Sequence, residues 1–166
     1  MNPDKYFSRS EVSNSDLTAL KQLLHPGLTF DPVARDKAFR MGTLVDAVIT
    51  EPNRVDYYAL TVDDEQYTKE EFNKAKWMHK CLRDYAYKDK FLAVVLAEFS
   101  AQKVMVNQQQ QFTYGGFEFA LDTLFKWDWW SDYYHCGGDL KTTSACSQKQ
   151  FDDAIEAFDW DRSRAW

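Results

Sequence analysis

Two aspartates and a lysine in the last third of the chain, Asp122, Asp139 and Lys141, have the residue types and spacing for metal-assisted hydrolysis. Asp122 lies in Phe117-Glu118-Phe119-Ala120-Leu121-Asp122-Thr123-Leu124-Phe125. There Phe117, Phe119 and Leu121 alternate with Glu118, Ala120 and Asp122, the period of a strand with one buried face. In Gly137-Gly138-Asp139-Leu140-Lys141-Thr142-Thr143 the same alternation sets Asp139 and Lys141 on one face and Leu140 on the other. If the two strands are neighbours, two carboxylates and one ammonium converge. Such carboxylates bind a hard divalent cation, and the ammonium orients or activates a water or stabilises developing negative charge. The competing reading is a solvated strand end, because a lone Asp-x-Lys arises by chance in many chains.

The elements that must position these residues can be read from caps and periodicity. Residues 1–9 are polar and read as loose or strand-like. Ser13 with Asp16 three positions later is a capping-box variant, and it opens a helix through about Leu24 with Leu17, Leu20, Leu23 and Leu24 as its apolar stripe. His25-Pro26-Gly27 ends it. A second helix is expected over about Pro32–Thr50, with Phe39, Leu44, Val45, Val48 and Ile49 inward and Pro52 past its end. Gly42 inside that helix costs about 1 kcal/mol against Ala and suggests a close backbone approach. Residues 53–67 are turn-rich, and Asp63-Asp64-Glu65 reads as a solvated acidic tip. Thr68 with Glu71 caps a third helix. Phe91–Phe99 reads as a short helix leading to a strand near Gln102–Val106, Gln108–Gln111 as a hairpin tip, and 112–126 as the next strand. Ser147 with Gln150 opens a last helix that turns Phe151, Ala154, Ile155 and Phe158 inward. This order predicts an α/β (α+β) fold, a mixed, mostly antiparallel sheet flanked by helices.

At 166 residues the chain is read as one domain, 1–166. A net charge of −6 supplies no global basic field, so any nucleic-acid contact has to come from a local groove. Three cysteines without paired spacing suggest reduced thiols and a cytoplasmic setting. No apolar run approaches the roughly 18 residues of a membrane span, and no secretory leader is evident.

The trio Asp122 and Asp139-Leu140-Lys141 resembles the D…(D/E)-x-K signature of the PD-(D/E)XK nuclease superfamily, and Asp139-Leu140-Lys141-Thr142-Thr143 is especially similar to its exonuclease VIII (RecE-like) phage and prophage branch. Two further stretches agree in order. Phe7–Leu17, with Ser13-Asn14-Ser15-Asp16-Leu17, resembles the branch's S-x-S-x-L helix start. Met41–Pro52 resembles its G-T-x-x-H…E-P helix, with Asp46 where the branch carries a His near the metal. The resemblance implies a restriction-endonuclease-like core and a Mg2+- or Mn2+-dependent DNA exonuclease. Asp122 and Asp139, with Asp46, would hold the metal, and Lys141 would position or deprotonate the nucleophile. DNA is the implied partner, with a second copy or a phage recombination protein as a further one. Branch members continue with a Gln-x-x-x-Tyr helix. Here Ser163 falls where that Gln belongs and the Tyr would lie past Trp166, so the chain is expected to be truncated or to complete its core with a partner.

Other residues fit the same reading. Lys76 and Lys80, interleaved with Trp77, Tyr85 and Tyr87, suit a phosphate backbone or stacked bases, as do Thr142 and Thr143; the alternative for the helix is an ordinary solvated face. Trp127-Asp128-Trp129-Trp130-Ser131-Asp132-Tyr133-Tyr134 reads as an aromatic insert, a hairpin packed over its own sheet. His79, Cys81, His135 and Cys136 match no paired zinc spacing. The alternative function, from another class, is a degenerate nuclease fold acting as a binding module or as an inhibitor of a nucleic-acid enzyme. It draws on the acidic charge, the Asp at position 46 and the early end.

Overall fold

The computed structural model describes residues 9–25 and 31–160. The expectations for residues 1–8, for the Pro26-Gly27 stop and for Ser163 lie outside them. The protein is mixed α/β, with five α-helices and two sheets among these residues. None of these helices is long and apolar enough to cross a membrane. The chain divides into two compact units, 1–29 with 104–126 and 143–166, and 30–103 with 127–142.

In the first unit a two-residue strand β1 (Val12–Ser13) pairs in parallel with strand β6 (Phe117–Ser131), Val12 opposite Thr123 and Ser13 opposite Leu124. Ser13 then caps helix α1 (Asn14–Leu24). Its hydroxyl accepts from the Asp16 amide, and the Asp16 carboxylate accepts from the Ser13 amide at 2.8 Å, so the expected box is complete. The leucine stripe is not buried, however: Leu20, Leu23 and Leu24 are all at least half exposed. Strand β5 (Ser100–Tyr114) runs through Gln108–Gln111, and the turn to β6 is Gly115-Gly116, both at positive φ (57° and 85°). A two-residue turn matching the strand twist needs positive φ at both centres. Glycine supplies that without strain, and a glutamine run does not. Helix α5 (Gln148–Ala157) starts at Ser147, whose hydroxyl accepts from the Gln150 amide.

The second unit is built on helix α2 (Pro32–Thr50), bounded as its Asp31 cap, Pro32 start and following Pro52 require. Leu44, Val45, Ala47 and Val48 pack with Val62, Tyr67, Phe72 and Ala75 into the core. Phe39, expected to face inward, stays two-thirds exposed. Residues 53–67 form a small antiparallel sheet, β2 (Val55–Asp56), β3 (Thr61–Val62) and β4 (Glu65–Gln66). Its acidic tip is paired, with Asp63 held by Arg54 and Glu65 by Arg40.

Helix α3 (Lys69–Ala86) opens on the Thr68–Glu71 box, and the Glu71 carboxylate also takes the Arg40 guanidinium at 2.9 Å, tying α3 to α2. That guanidinium and the Thr68 amide hold the Glu71 carboxyl down at about 2. Helix α4 (Lys90–Glu98) follows, capped by Asp89. The end of β6 pairs antiparallel with β7 (Cys136–Gly138), Trp129 opposite Gly138 and Ser131 opposite Cys136. The aromatic stretch is therefore a strand to Ser131 rather than an insert. Its rings lie on the glycines: a Cβ at Gly137 would sit 2.3 Å from the Trp127 ring, and one at Gly138 would sit 1.9 Å from that of Trp129.

Candidate functional site

Leu140 fixes the orientation of the Asp-Leu-Lys segment. It packs against the α2–α3 core, while Asp139 and Lys141, just past the end of β7, meet each other. Lys141 Nζ reaches back to Asp139, 2.6 Å from Oδ1 and 2.5 Å from Oδ2.

Just past the Trp129–Gly138 pair, where β7 ends, Asp139 comes close enough to Asp128 to act on its carboxyl. The Leu140 amide donates to Asp128 Oδ2 at 2.5 Å. Burial first, then the neighbouring Asp139 and the charge of Asp46, push the Asp128 carboxyl up to about 7.

Asp46 comes to the same neighbourhood from α2. Its carboxylate accepts from the Thr50 hydroxyl at 2.8 Å, one turn on, and from the Gln102 side-chain amide at 3.2 Å. Gln102 also donates to Thr50 Oγ1, and its φ of +55° places it in the left-handed region, uncommon for a side chain of that size. One turn before Asp46, Gly42 faces Thr142, whose Oγ1 would lie 3.6 Å from a Cβ at position 42. That is an ordinary van der Waals contact with a side chain, not the close backbone approach expected at Gly42, so a methyl would be accommodated there.

The second unit therefore gathers Asp46, Asp139, Lys141 and Thr142 of the expected residues. Asp122 lies in the first unit, six residues upstream of Asp128 on β6, and its carboxylate accepts from the Gln109 backbone amide at 2.8 Å and from the Gln109 side chain at 3.1 Å. Thr143 also belongs to the first unit, and its hydroxyl accepts from the Ala145 amide. On α3, Lys76 Nζ stands 4.9 Å above the Tyr57 ring, and Lys80 pairs with Asp84 one turn on. The sequence reading missed Asp128, Thr50 and Gln102. Asp128 has the same strand parity as Asp122 and lies 11 residues before Asp139, a spacing suited to a short hairpin, but the tryptophans around it hid the strand.

Oxygen donors from Asp46, Asp128 and Asp139 are the chemistry a hard divalent cation takes. Among the described residues no group of three or more His, Cys, Asp or Glu side chains is placed to hold a metal ion together. A Mg2+ site does not need one: that ion keeps several waters and takes one or two carboxylates plus substrate phosphate, and a neighbouring acid pair can supply the carboxylates. Compared with protein-family models, with curated proteins and with solved structures, the chain matches none.

Proposed function

We propose that this chain is a Mg2+- or Mn2+-dependent deoxyribonuclease of the PD-(D/E)XK kind, an exonuclease acting on DNA ends, with Asp128 in place of Asp122 as the first acid of the motif. The observation that carries the reading is the Asp128–Asp139 pair, crowded by Asp46 so that one acid holds its proton near neutrality. Like charges so placed cost stability unless something positive is shared between them, and the proton is the simplest such charge. A divalent ion is a stronger one.

When bound, the ion supplies Lewis-acid neutralisation of the scissile phosphate and acidifies a water. The chain's own residues do the rest. Asp128 and Asp139 would hold the ion, with Asp46 behind them, fixed by Thr50 and Gln102. Lys141, held beside Asp139 with the partly buried Leu140 packed the other way, would orient the attacking water and balance negative charge developing on the phosphate. The Leu140 amide keeps the Asp128 carboxyl in place.

The test is cleavage of end-labelled duplex DNA with Mg2+ or Mn2+ by the parent chain and by Asp139→Asn. Loss of cleavage in a variant that melts like the parent supports the reading. An Asn form that cuts as well as the parent ends it. A folded parent that binds neither metal points to the alternative, a nuclease-like binding module.

A further inference from the structure

Helices α3 and α4 enclose a surface cleft with two lobes that share Arg83 and Tyr87. The larger, about 410 Å³, has an apolar floor of Ala86, Ala93, Leu96 and Ala97, with Arg83 and Lys90 at its rim. The smaller, about 300 Å³, is polar and lined by Lys76, His79 and Lys80. Asp84 is the single acid lining either lobe, although the chain as a whole carries a net charge of −6. Burial first, and then the nearby Arg83 charge, disfavour a proton on His79. Tyr87 is 84% exposed on the ridge between the lobes, an aromatic face with nothing of the core to cover.

We propose that this cleft binds a single strand of DNA, with phosphates against Lys76, Lys80, Arg83 and Lys90 and an unpaired base on Tyr87 over the apolar floor. Cations alone would serve a duplex equally well. The exposed ring favours a single strand, because paired bases hide the faces on which an aromatic side chain stacks. The division into an apolar and a cationic lobe matches the two halves of a nucleotide. The cleft is also joined to the acid pair within the second unit: Phe91, next to Lys90, packs edge-on against Trp129 at 6.4 Å, and Trp129 covers the glycine before Asp139. The choice of DNA as the polymer rests on the deoxyribonuclease reading; the strandedness does not.

The experiment is fluorescence anisotropy of a labelled oligothymidylate with the full chain in EDTA, so that binding is read without cleavage. The parent is expected to bind the single strand more tightly than a duplex of the same length, with a log–log salt slope of about −3 for four phosphate contacts. Arg83→Glu with Lys90→Glu should weaken binding at least about tenfold and flatten the slope by about 1.4. Tyr87→Ala should weaken it about tenfold with the slope unchanged. All three side chains are exposed, so melting should not move; if the double charge reversal does melt early, Lys80→Ala takes its place, with an expected slope loss of about 0.7. Parent-like binding by the charge variant and by Tyr87→Ala overturns the cleft, as does a duplex that competes as well as the single strand. The two proposals fail separately. A parent that cuts DNA while the cleft variants bind normally loses only the cleft, and a parent that binds through the cleft but never cuts loses only the nuclease.

Discussion

The Leu140 amide donates to the Asp128 carboxyl at 2.5 Å, beside Asp139. Burial and the acids around it keep Asp128 protonated up to about pH 7. Mn2+ binding near pH 7 should expel that proton, so the calorimetric binding enthalpy will vary with the ionisation enthalpy of the buffer, with a slope between zero and one proton. In Asp128→Asn the dependence should vanish. A parent whose enthalpy is the same in every buffer contradicts the retained proton.

The same carboxyl sets a stability trend. The folded-state value of Asp128, about 7, lies above its ordinary unfolded one. The folded chain thus holds a proton that the unfolded chain releases, and the contribution is complete at acid pH and is lost as pH rises through about 7. In metal-free buffer the parent's Tm should fall between about pH 4 and pH 7 relative to Asp128→Asn. Parallel curves for the two proteins would show that Asp128 titrates normally.

Glu71 predicts the opposite sign in a lower window. Its folded value of about 2 lies below the ordinary one, because Arg40 and the Thr68 cap favour the charged form. The stability is present above the unfolded value and is lost as pH falls from about 4.5 towards 2. Glu71→Gln should cost about 1 kcal/mol at neutral pH, a Tm drop of about 2–4 °C. It should also flatten the acid limb of the pH–Tm curve, and a variant with an unchanged limb refutes the linkage.

Gly137 tests the tryptophan cover. A methyl there would lie 2.3 Å from a Trp127 ring carbon and 2.5 Å from Cγ, the root of the ring, which cannot move aside without a new rotamer. Gly137→Ala should cost about 2 kcal/mol, lowering Tm by about 4–8 °C, and should reduce cleavage through the displaced Asp139. A variant that melts like the parent would mean that the ring gives way freely.

Much of this was legible in sequence wherever local chemistry decides the outcome. Pro32, Pro52 and the boxes at Ser13 and Thr68 bound their helices because caps act over three or four residues. The orientation of Leu140 followed from alternation alone. What could not be read was long-range. The glutamines 108–111 look like a turn by polarity, yet positive φ at Gly115 and Gly116 decides where the chain reverses. The alternation of β6 continues through Phe125-Lys126-Trp127-Asp128-Trp129 and breaks only at Trp130, but the density of aromatic residues drew the eye from it, and so the strand carrying Asp128 was hidden. Gln102 meets Asp46 across 56 residues, beyond any local signal.

Leu140 sits as a peg between two charged neighbours, and this separates two ways in which the chain can change. Replacing Asp139 or Lys141 leaves the peg seated, so the charged groups can be edited while the scaffold stays intact. Sliding the segment by one position would expel the peg and thrust a carboxylate into the α2–α3 core, so the position of the acids is tied to survival of the fold itself. A lineage built on this backbone can therefore lose these charges in one step, but it cannot relocate them along the segment without unfolding first.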